Sequence, residues 1–236
     1  MFAAEAAPQK HKLFIYVYLR TNIPCPQCLC GRMISMIDRI EKILEFWFGT
    51  FPDAWSGDES KIDMWFQNGA AYDTEIFSRF GSDYFRAIEG ELDHWAESPR
   101  GRLAMIILLD QFSRHIHRGC ADAFAQDSKA QQLCTDGIGA GDDLNLHPVE
   151  RSFFYLPLEH AEDIALQNLG VKAFRQLIQD VPQQYRKPFE VSLEWAEKHR
   201  YVIEQFGRFP ELNEILGRES TSEEIEFITN AEYSFL

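Results

Sequence analysis

The sequence predicts an all-α protein made of stacked antiparallel helix pairs. From residue 35 onward, apolar side chains recur at the spacing of a helix that buries one face. Glycines and prolines separate these segments at distances typical of helices joined by short loops. No segment shows the alternation of apolar and polar residues that is typical of a strand. The pattern has no fixed repeat length, so any repeat character is degenerate.

Composition and charge argue against several classes of protein. Of the 236 residues, 45% are apolar and 25% are charged, so the chain is expected to bury a core rather than stay disordered. No apolar run approaches the roughly 18 to 20 residues that span a bilayer, which predicts a soluble protein without a membrane partner. The net charge of −14 argues against nucleic acid as a partner, because nucleic-acid binding needs clustered positive charge.

The first 35 residues differ from the rest and are expected to be a non-native or disordered extension. They carry a net positive charge in an acidic chain, and helical periodicity begins only where they end. Cys25 and Cys28 have the spacing of half a zinc site, but a second such pair is missing, so no metal is expected. Residues 36–236 are expected to form one all-helical domain. It contains only two cysteines, Cys120 and Cys134, and such a low number is typical of a cytoplasmic protein without disulfides.

The first half of this domain is predicted to contain one helix for each apolar segment. Ser35 is expected to cap the first helix, and Gly49 is expected to end it. Asp73 is expected to cap a later helix. The residues from Leu103 to Leu109 are apolar almost without interruption, so their helix is expected to be central and buried. The predicted segments are residues 36–48, 59–68, 74–88 and 100–112, with a short turn of helix around Trp95.

The second half continues this pattern with further capping signals. Asp122 is expected to cap a helix that the glycines of residues 137–141 close. Pro148 suits a first helical turn, and Pro157 is expected to open or kink the next helix. Thr221 and Glu224 have the spacing of a capping box. The predicted segments are residues 123–135, 147–155, 157–168, 171–181, a long helix within 182–206, a short one over 211–216 and a last one through 228.

Three segments contain more polar and charged residues than the packing of helices requires. The first of them lies at the end of the predicted buried helix. The helical register places Asp110 and Arg114 on the same stripe as the apolar residues before them. A structural Asp110–Arg114 ion pair would explain both residues. The functional alternative is a cleft at the end of this helix, because arginine forks suit carboxylates and phosphates. The cleft would be lined by Asp110, Gln111, Arg114 and Arg118.

The second segment surrounds His160. Glu159 and Glu162 share one face of the predicted helix, and His160 and Asp163 share the adjacent one. Paired carboxyl groups can separate each other's pKa values and so perform acid–base chemistry. A histidine next to a carboxylate can also serve as a base with a residue that orients it. Ion pairing with arginines such as Arg151 is the structural alternative.

The third segment runs from His199 to Arg218. His199 continues an apolar stripe, which is typical of a histidine in the core. The functional alternative is that His199 is an acid–base residue. Arg208 and Arg218 flank glycine-containing turns near Asn213. Backbone N–H groups at such helix starts, with arginines nearby, can form an anion site.

Several ordered motifs in the chain match a known family. They are the runs Leu44-Glu-Phe-Trp-Phe-Gly49, Leu108-Leu-Asp-Gln-Phe-Ser-Arg114, Phe154-Tyr-Leu-Pro-Leu-Glu-His-Ala-Glu162, Gly207-Arg-Phe-Pro210 and Ile215-Leu-Gly-Arg218. With these runs, the chain resembles the domain of unknown function family 924. The resemblance implies a bacterial-type protein with a compact superhelix similar to tetratricopeptide folds, and it implies no activity. The polar residues that match are Asp110, Gln111, Arg114, Arg118, Glu159, His160, Glu162, His199, Arg208, Asn213 and Arg218.

One departure from the family pattern concerns two histidines. The chain reads Ser113-Arg-His-Ile-His-Arg-Gly119, where the family usually has Pro-Arg-Asn-Ile, then Phe or Tyr, then Arg-Gly. His115 and His117 are therefore outside the family pattern, and on a helix they point in different directions. Both observations argue against a metal role for them. No cofactor is expected either, because the chain contains no P-loop and no dinucleotide-binding glycine motif.

Three functions are compatible with these residues. In the first, arginines of the three segments bind a small anionic ligand or an acidic peptide terminus. In the second, His160 or His199 acts with Asp110, Glu159 or Glu162 in a hydrolase or lyase. In the third, the polar residues form a buried network in a scaffold for protein–protein interaction. An aromatic content of 14% leaves room for an apolar interface, so an oligomer is compatible with each of them.

Overall fold

The structure is a computed structural model that describes the backbone of residues 27–230 and the side chains of residues 36–230. The chain divides into two units, residues 1–42 and residues 43–236. In the first unit the described residues are helical, and Lys42 pairs with Asp38 at 2.5 Å. Of the expected extension, residues 1–26 lie outside the described residues. The expectation of one domain over residues 36–236 stays a prediction.

The predicted all-α class is confirmed, because residues 27–230 contain helices and no strand. The three consecutive helices Pro148–Glu159, Ile164–Asp180 and Lys187–Phe206 pack together. The tetratricopeptide-like arrangement stays a prediction. In the described part of the chain, no helix is long and apolar enough to cross a membrane. Numbered along the chain, the helices are α1 Gln27–Phe48, α2 Asp73–Ile88, α3 Pro99–Ile106, α4 Ser113–Ile116, α5 Asp127–Ala140, α6 Pro148–Glu159, α7 Ile164–Asp180, α8 Lys187–Phe206 and α9 Ser222–Asn230.

Helix α1 begins earlier than expected and ends where expected. Ser35 is not its N-cap, because the helix already begins at Gln27 and no proline interrupts it before Phe48. Gly49 ends the helix with a φ of +68°, a conformation that favours glycine. A Cβ atom at this position would also overlap the carboxylate of Asp58.

The predicted helix over residues 59–68 is instead two short turns. A 3-10 turn over Glu59–Lys61 is followed by a π-helical turn over Asp63–Gln67. In the π turn, the Asn68 N–H donates to the carbonyl five residues earlier at 2.8 Å. The Trp65 side chain anchors this turn, because its Nε1–H donates to the Trp47 carbonyl at 3.1 Å.

The central buried helix is confirmed, but it is not regular throughout. Its residues Leu103 to Leu109 are fully buried. Helix α3 gives way to a π-helical turn over Ile107–Phe112, in which the Ser113 N–H bonds to the Leu108 carbonyl, and α4 follows directly. The buried run therefore extends beyond the predicted end at residue 112, and it contains one turn wider than an α-helix.

Two predicted helix starts are wrong. Asp122 does not cap α5; it lies in a 3-10 turn over Ala121–Phe124, which Ser113 holds by donating from Oγ to the Ala123 carbonyl at 2.8 Å. Pro157 does not open a helix, because it lies inside α6 among buried neighbours that maintain the helix to Glu159. Ending two residues after the proline, α6 leaves His160 as its C-cap.

Helix α7 joins two segments that were predicted to be separate. Asp163 caps it by accepting the N–H groups of Ala165 and Leu166 at 2.7 and 3.0 Å. Gly170 does not break the helix; a Cβ atom there would lie 3.1 Å from the Leu158 Cβ, so glycine allows α6 and α7 to approach closely.

The predicted capping box of the last helix is confirmed. The Thr221 hydroxyl accepts the Glu224 N–H at 3.2 Å, and the Glu224 carboxylate accepts the Thr221 N–H at 2.8 Å. The short helix predicted over residues 211–216 is only a 3-10 turn over Pro210–Leu212. The loop between α8 and α9 is therefore irregular, and side-chain contacts fix it.

Candidate functional site

A cavity of about 520 Å³ lies among the π turn of residues 63–67, the end of the buried helical run and the loop after α8. Trp65, Phe66 and Phe209 contribute to its apolar wall. His160 at the end of α6 and His199 in α8 contribute to its polar wall, together with side chains that follow the buried helix. Phe66 is 73% exposed, so the cavity opens to solvent beside this ring.

The most buried polar group beside the cavity is the carboxylate of Asp110. It is completely inaccessible to solvent and lies 2.7 Å from Nδ1 of His160. Gln111 donates from Nε2 to its other oxygen at 2.5 Å. Burial alone would raise the pKa of Asp110, but the charge of Arg114 and the bonds from His160 and Gln111 lower it to about 2. Asp110 is therefore ionised at neutral pH.

Arg114 links this carboxylate to a second one. Its Nη1 lies 3.2 Å from the carboxylate of Asp110 and donates to the Asp110 carbonyl at 2.8 Å. The same guanidinium donates to both oxygens of Asp127, at 3.0 and 3.2 Å. Burial and the nearby Asp110 raise the pKa of Asp127, whereas Arg114 lowers it, and the net shift is upward. Arg114 thus holds two carboxylates together at the cavity wall.

His199 is paired with a buried acid in a different way. Its Nδ1 donates to the Trp195 carbonyl at 2.8 Å and lies 3.4 Å from Oε2 of Glu159. Burial lowers the pKa of His199 to about 4, and burial with the charge of Asp110 raises the pKa of Glu159 well above its usual value. Although the spacing is that of an ion pair, the His199 ring is therefore neutral at neutral pH, and burial favours the protonated form of Glu159. Oε1 of Glu159 has no hydrogen-bond partner among the described residues.

The raised pKa of Glu159 leads to a prediction about stability. Below about pH 4.5 the side chain is protonated in both the folded and the unfolded chain, so Glu159→Gln should have little pH-dependent effect there. As the pH rises above 4.5, the unfolded chain releases the proton while the folded protein retains it. As the pH rises, the free energy of unfolding of the wild type should therefore fall relative to that of Glu159→Gln.

Urea unfolding at several pH values between about 4 and 7 would measure this difference. Glu214→Gln, the same substitution at an exposed position, serves as the matched control. A Glu159→Gln protein that loses stability relative to the wild type as the pH rises would contradict the assignment of a neutral, buried acid.

A second polar group of the wall is built around Arg118. Its Nε and Nη2 donate to the two oxygens of Asp73, at 2.7 and 2.8 Å. Nδ1 of His115 lies 2.8 Å from the same carboxylate. Asp73 was expected to be the N-cap of α2, but it is the first residue of that helix. Its carboxylate contacts Arg118 and His115 and does not cap the helix.

The remaining predicted residues form a separate cluster, which we call the C-terminal ion-pair cluster. Arg218 donates two bonds to Glu162, at 2.6 and 2.9 Å, and Arg208 donates two to Glu224, at 2.6 and 2.9 Å. Glu162 also accepts the Phe209 N–H at 2.7 Å. Asn213 is buried and donates to Glu224 at 3.1 Å. The cluster fixes the loop that supplies Phe209 to the cavity.

The structure therefore divides the predicted site residues into three groups. Gln111, Arg114, Arg118, His160 and His199 line the cavity. Asp110 and Glu159 lie directly behind the histidines. The C-terminal ion-pair cluster holds Glu162, Arg208, Asn213 and Arg218, and none of these four lines the cavity.

Sequence reasoning missed several residues of the wall. Asp127 and Asp73 pair with the cavity arginines, but both lie far from them in sequence, and nothing in the sequence indicates these pairings. Trp65 and Phe66 could be recognised in the sequence only as apolar residues of a predicted helix, not as residues of a site. Among the described side chains of residues 36–230, no group of three His, Cys, Asp or Glu residues is arranged to hold a metal ion.

Comparisons with known proteins agree with the resemblance seen in the sequence. A family described as "Bacterial protein of unknown function (DUF924)" matches residues 43–232. Among solved structures, the chain is similar to the protein of unknown function ATU0120 from Agrobacterium tumefaciens, with 35% identity, a TM-score of 0.69, and coverage of 83% of this chain and 99% of that one. No protein with a curated description matches. The family match extends over most of the chain, and the chain therefore belongs to the DUF924 family.

Proposed function

We propose that the protein is a hydrolase for a small organic molecule, with His160 as the general base. The observation that carries this proposal is the 2.7 Å contact between the ionised, fully buried Asp110 and Nδ1 of His160, beside an open cavity. An ionised carboxylate can only accept a hydrogen bond, so Nδ1 carries the proton. In the neutral form of the ring, the other nitrogen, Nε2, has the lone pair that takes a proton from the reactant.

The composition of the cavity wall supports water as the nucleophile. Among the described residues, the wall contains no serine, threonine, cysteine or lysine. A histidine base without a hydroxyl, thiol or amine nucleophile beside it can activate a water molecule directly. Water reaches this cavity past the exposed ring of Phe66. In the proposed step, His160 takes a proton from water while the water oxygen attacks a carbonyl carbon.

The neighbouring charges support this division of roles. Asp110 is a positioning residue, because it touches His160 and has no access to the cavity. Its negative charge stabilises the imidazolium that forms when Nε2 takes a proton. Arg114 lies 3.2 Å from the same carboxylate and brings a positive charge to the wall next to His160, where negative charge develops on the attacked carbonyl.

The test is the hydrolysis of two neutral esters, 4-nitrophenyl acetate and 4-nitrophenyl butyrate, followed by release of 4-nitrophenolate. We expect His160→Gln to lower kcat by about 100-fold or more, the usual contribution of a positioned base. His94→Gln is the matched control, because His94 is exposed and is not part of the cavity wall. Equal rates for His160→Gln and the wild type, with the variant still folded, would refute the proposal.

A second candidate is a binding protein for a small organic anion or an acidic peptide terminus. The presence of both Arg114 and Arg118 in the cavity wall favours it. Each arginine already pairs with aspartates, however, so an anion would have to share it. Binding of 3-phenylpropanoate without turnover of any ester would favour this candidate over the hydrolase.

The location and partners are proposals of the same kind. The two described cysteines outside α1, Cys120 and Cys134, are both unpaired, which supports a cytoplasmic protein. We propose a small molecule as the partner rather than nucleic acid, because the acidic chain pairs its cavity arginines with carboxylates. A scaffold function, the third candidate, draws support from the C-terminal ion-pair cluster alone.

A further inference from the structure

The two arginines of the cavity wall differ in how much of their hydrogen-bonding capacity the protein uses. Arg114 is shared between Asp110 and Asp127, and both of its terminal nitrogens donate to Asp127. Arg118 has one carboxylate partner, Asp73, which takes the edge formed by Nε and Nη2. The side chain of Arg118 is 47% exposed, against 23% for Arg114.

A guanidinium has a second edge with geometry suited to another carboxylate. In Arg118 this edge is formed by Nη1 together with the second hydrogen of Nη2, and no carboxylate of the described residues takes it. Nη2 also lies 3.2 Å from Nδ1 of His115, but that nitrogen donates to the Asp73 carboxylate at 2.8 Å and so does not accept from Arg118. Asp73 fixes the plane of the group from the opposite edge. The entropy cost of ordering a long side chain is therefore already met before a ligand arrives.

From this geometry we propose that Arg118 binds a carboxylate of the substrate, so that the substrates are esters whose acyl part ends in a carboxylate. The inference rests on the proposed hydrolase function. Arg118 would be a specificity-determining residue, and His160 would act on the ester at the other end of the same acyl chain. Phe66 and Phe124 belong to the same wall and offer apolar surface to the chain of the acyl group.

The chemical step balances with water as the co-reactant. The water oxygen forms a bond to the ester carbonyl carbon, and one water proton goes to Nε2 of His160. The bond between the carbonyl carbon and the leaving oxygen then breaks, and that proton passes from the imidazolium to the leaving oxygen. The products are a dicarboxylic acid and an alcohol, and nothing is oxidised or reduced.

Two esters that differ only in the terminal charge test the inference. Mono-4-nitrophenyl glutarate carries the carboxylate, and 4-nitrophenyl pentanoate has the same chain length with a methyl group in its place. For the wild type we expect kcat/KM to be at least about tenfold higher for the charged ester, as a charge-assisted bidentate contact allows. Arg118→Met should reduce this ratio to near one, mainly through a higher KM for the charged ester.

Arg86→Met is the matched control. The Arg86 side chain is also 47% exposed, pairs with a carboxylate, Glu91, at 2.9 Å, and lies outside the cavity wall. It should keep the wild-type ratio. Inhibition of the wild type by free glutarate and by neutral glutaramide gives a second measurement that needs no variant, and glutarate should inhibit at about tenfold lower concentration.

The outcomes separate this inference from the function on which it rests. Equal cleavage of the charged and neutral esters by the wild type, abolished in His160→Gln, would overturn the carboxylate inference and leave the hydrolase proposal standing. A charged-ester preference that survives in Arg118→Met would overturn the role of Arg118. No cleavage of either ester above the buffer rate would overturn both proposals.

Discussion

Asp110→Asn is expected to lower the free energy of unfolding by about 3 kcal/mol or more, because it removes one partner from a buried network of charges. The wild-type carboxylate is fully buried and contacts His160, Arg114 and Gln111. Asparagine keeps the shape of the side chain but cannot balance the charge of Arg114. Asp127, the remaining partner of Arg114, is partly exposed and would balance it only in part.

Urea unfolding at neutral pH would measure this loss. Asp136→Asn is the control: Asp136 is exposed and accepts only from Gln132 in the preceding turn, so its effect should stay within about 0.5 kcal/mol. A loss of similar size in both variants would remove the case for a buried network. The positioning role has a separate readout, since NMR of the His160 ring nitrogens should show Nδ1 losing its fixed proton in Asp110→Asn.

Acid should destabilise the folded protein through His199, and His199→Gln should remove that part of the acid sensitivity. The pKa of His199 falls from 6.5 to about 4 because burial disfavours the charged ring. As the pH falls below 6.5, the unfolded chain binds a proton at this position while the folded protein does not. A shift of this size corresponds to roughly 3 kcal/mol of stability, fully present above 6.5 and lost as the pH falls through 4.

The quantity to measure is the difference in unfolding free energy between His199→Gln and the wild type from about pH 7 to pH 4. The difference between the two proteins is needed because Glu159 has the opposite effect on stability. As the pH falls towards 4.5, the raised pKa of Glu159 favours the folded protein. The wild type should lose stability relative to His199→Gln as the pH falls, and His94→Gln is the same substitution at an exposed position and serves as the matched control. Parallel curves for His199→Gln and the wild type would show that the ring is not held neutral.

The parts of the fold that could be predicted depend on local chemistry. The run from Leu103 to Leu109 is apolar on every side, and such a helix can only be stable when surrounded by protein. The Thr221–Glu224 capping box is likewise complete within four residues. Pro157 was misjudged because the cost of a proline inside a helix is local, whereas the buried packing that offsets it involves other helices.

The same distinction applies to the candidate site. Asp110 and His199 could be selected because each continues an apolar stripe with a polar group. His160 could be selected because acidic residues surround it in the sequence. Their pairing could not be predicted, since Asp110 and His160 come from different helices. The predicted arginine site was only partly correct for a similar reason, because the partners of the arginines come from distant parts of the chain. All four matched the family, yet Arg208 and Arg218 hold a loop, and only Arg114 and Arg118 face the cavity.

The two π-helical turns have a consequence for how the cavity tolerates change. Each turn fits one more residue than an α-helical path would, so it sets the angular phase of the side chains that follow. Deleting one residue between Ile107 and Phe112 would restore an α-helical path with the following side chains at nearly the same angles, because the wide turn already takes up one extra residue. If the turn became α-helical at unchanged length, the following side chains would instead rotate by about 100° relative to α3. Arg114 and Arg118 would then point away from the cavity. The wide turn itself, rather than the number of residues, therefore keeps both arginines directed at the cavity.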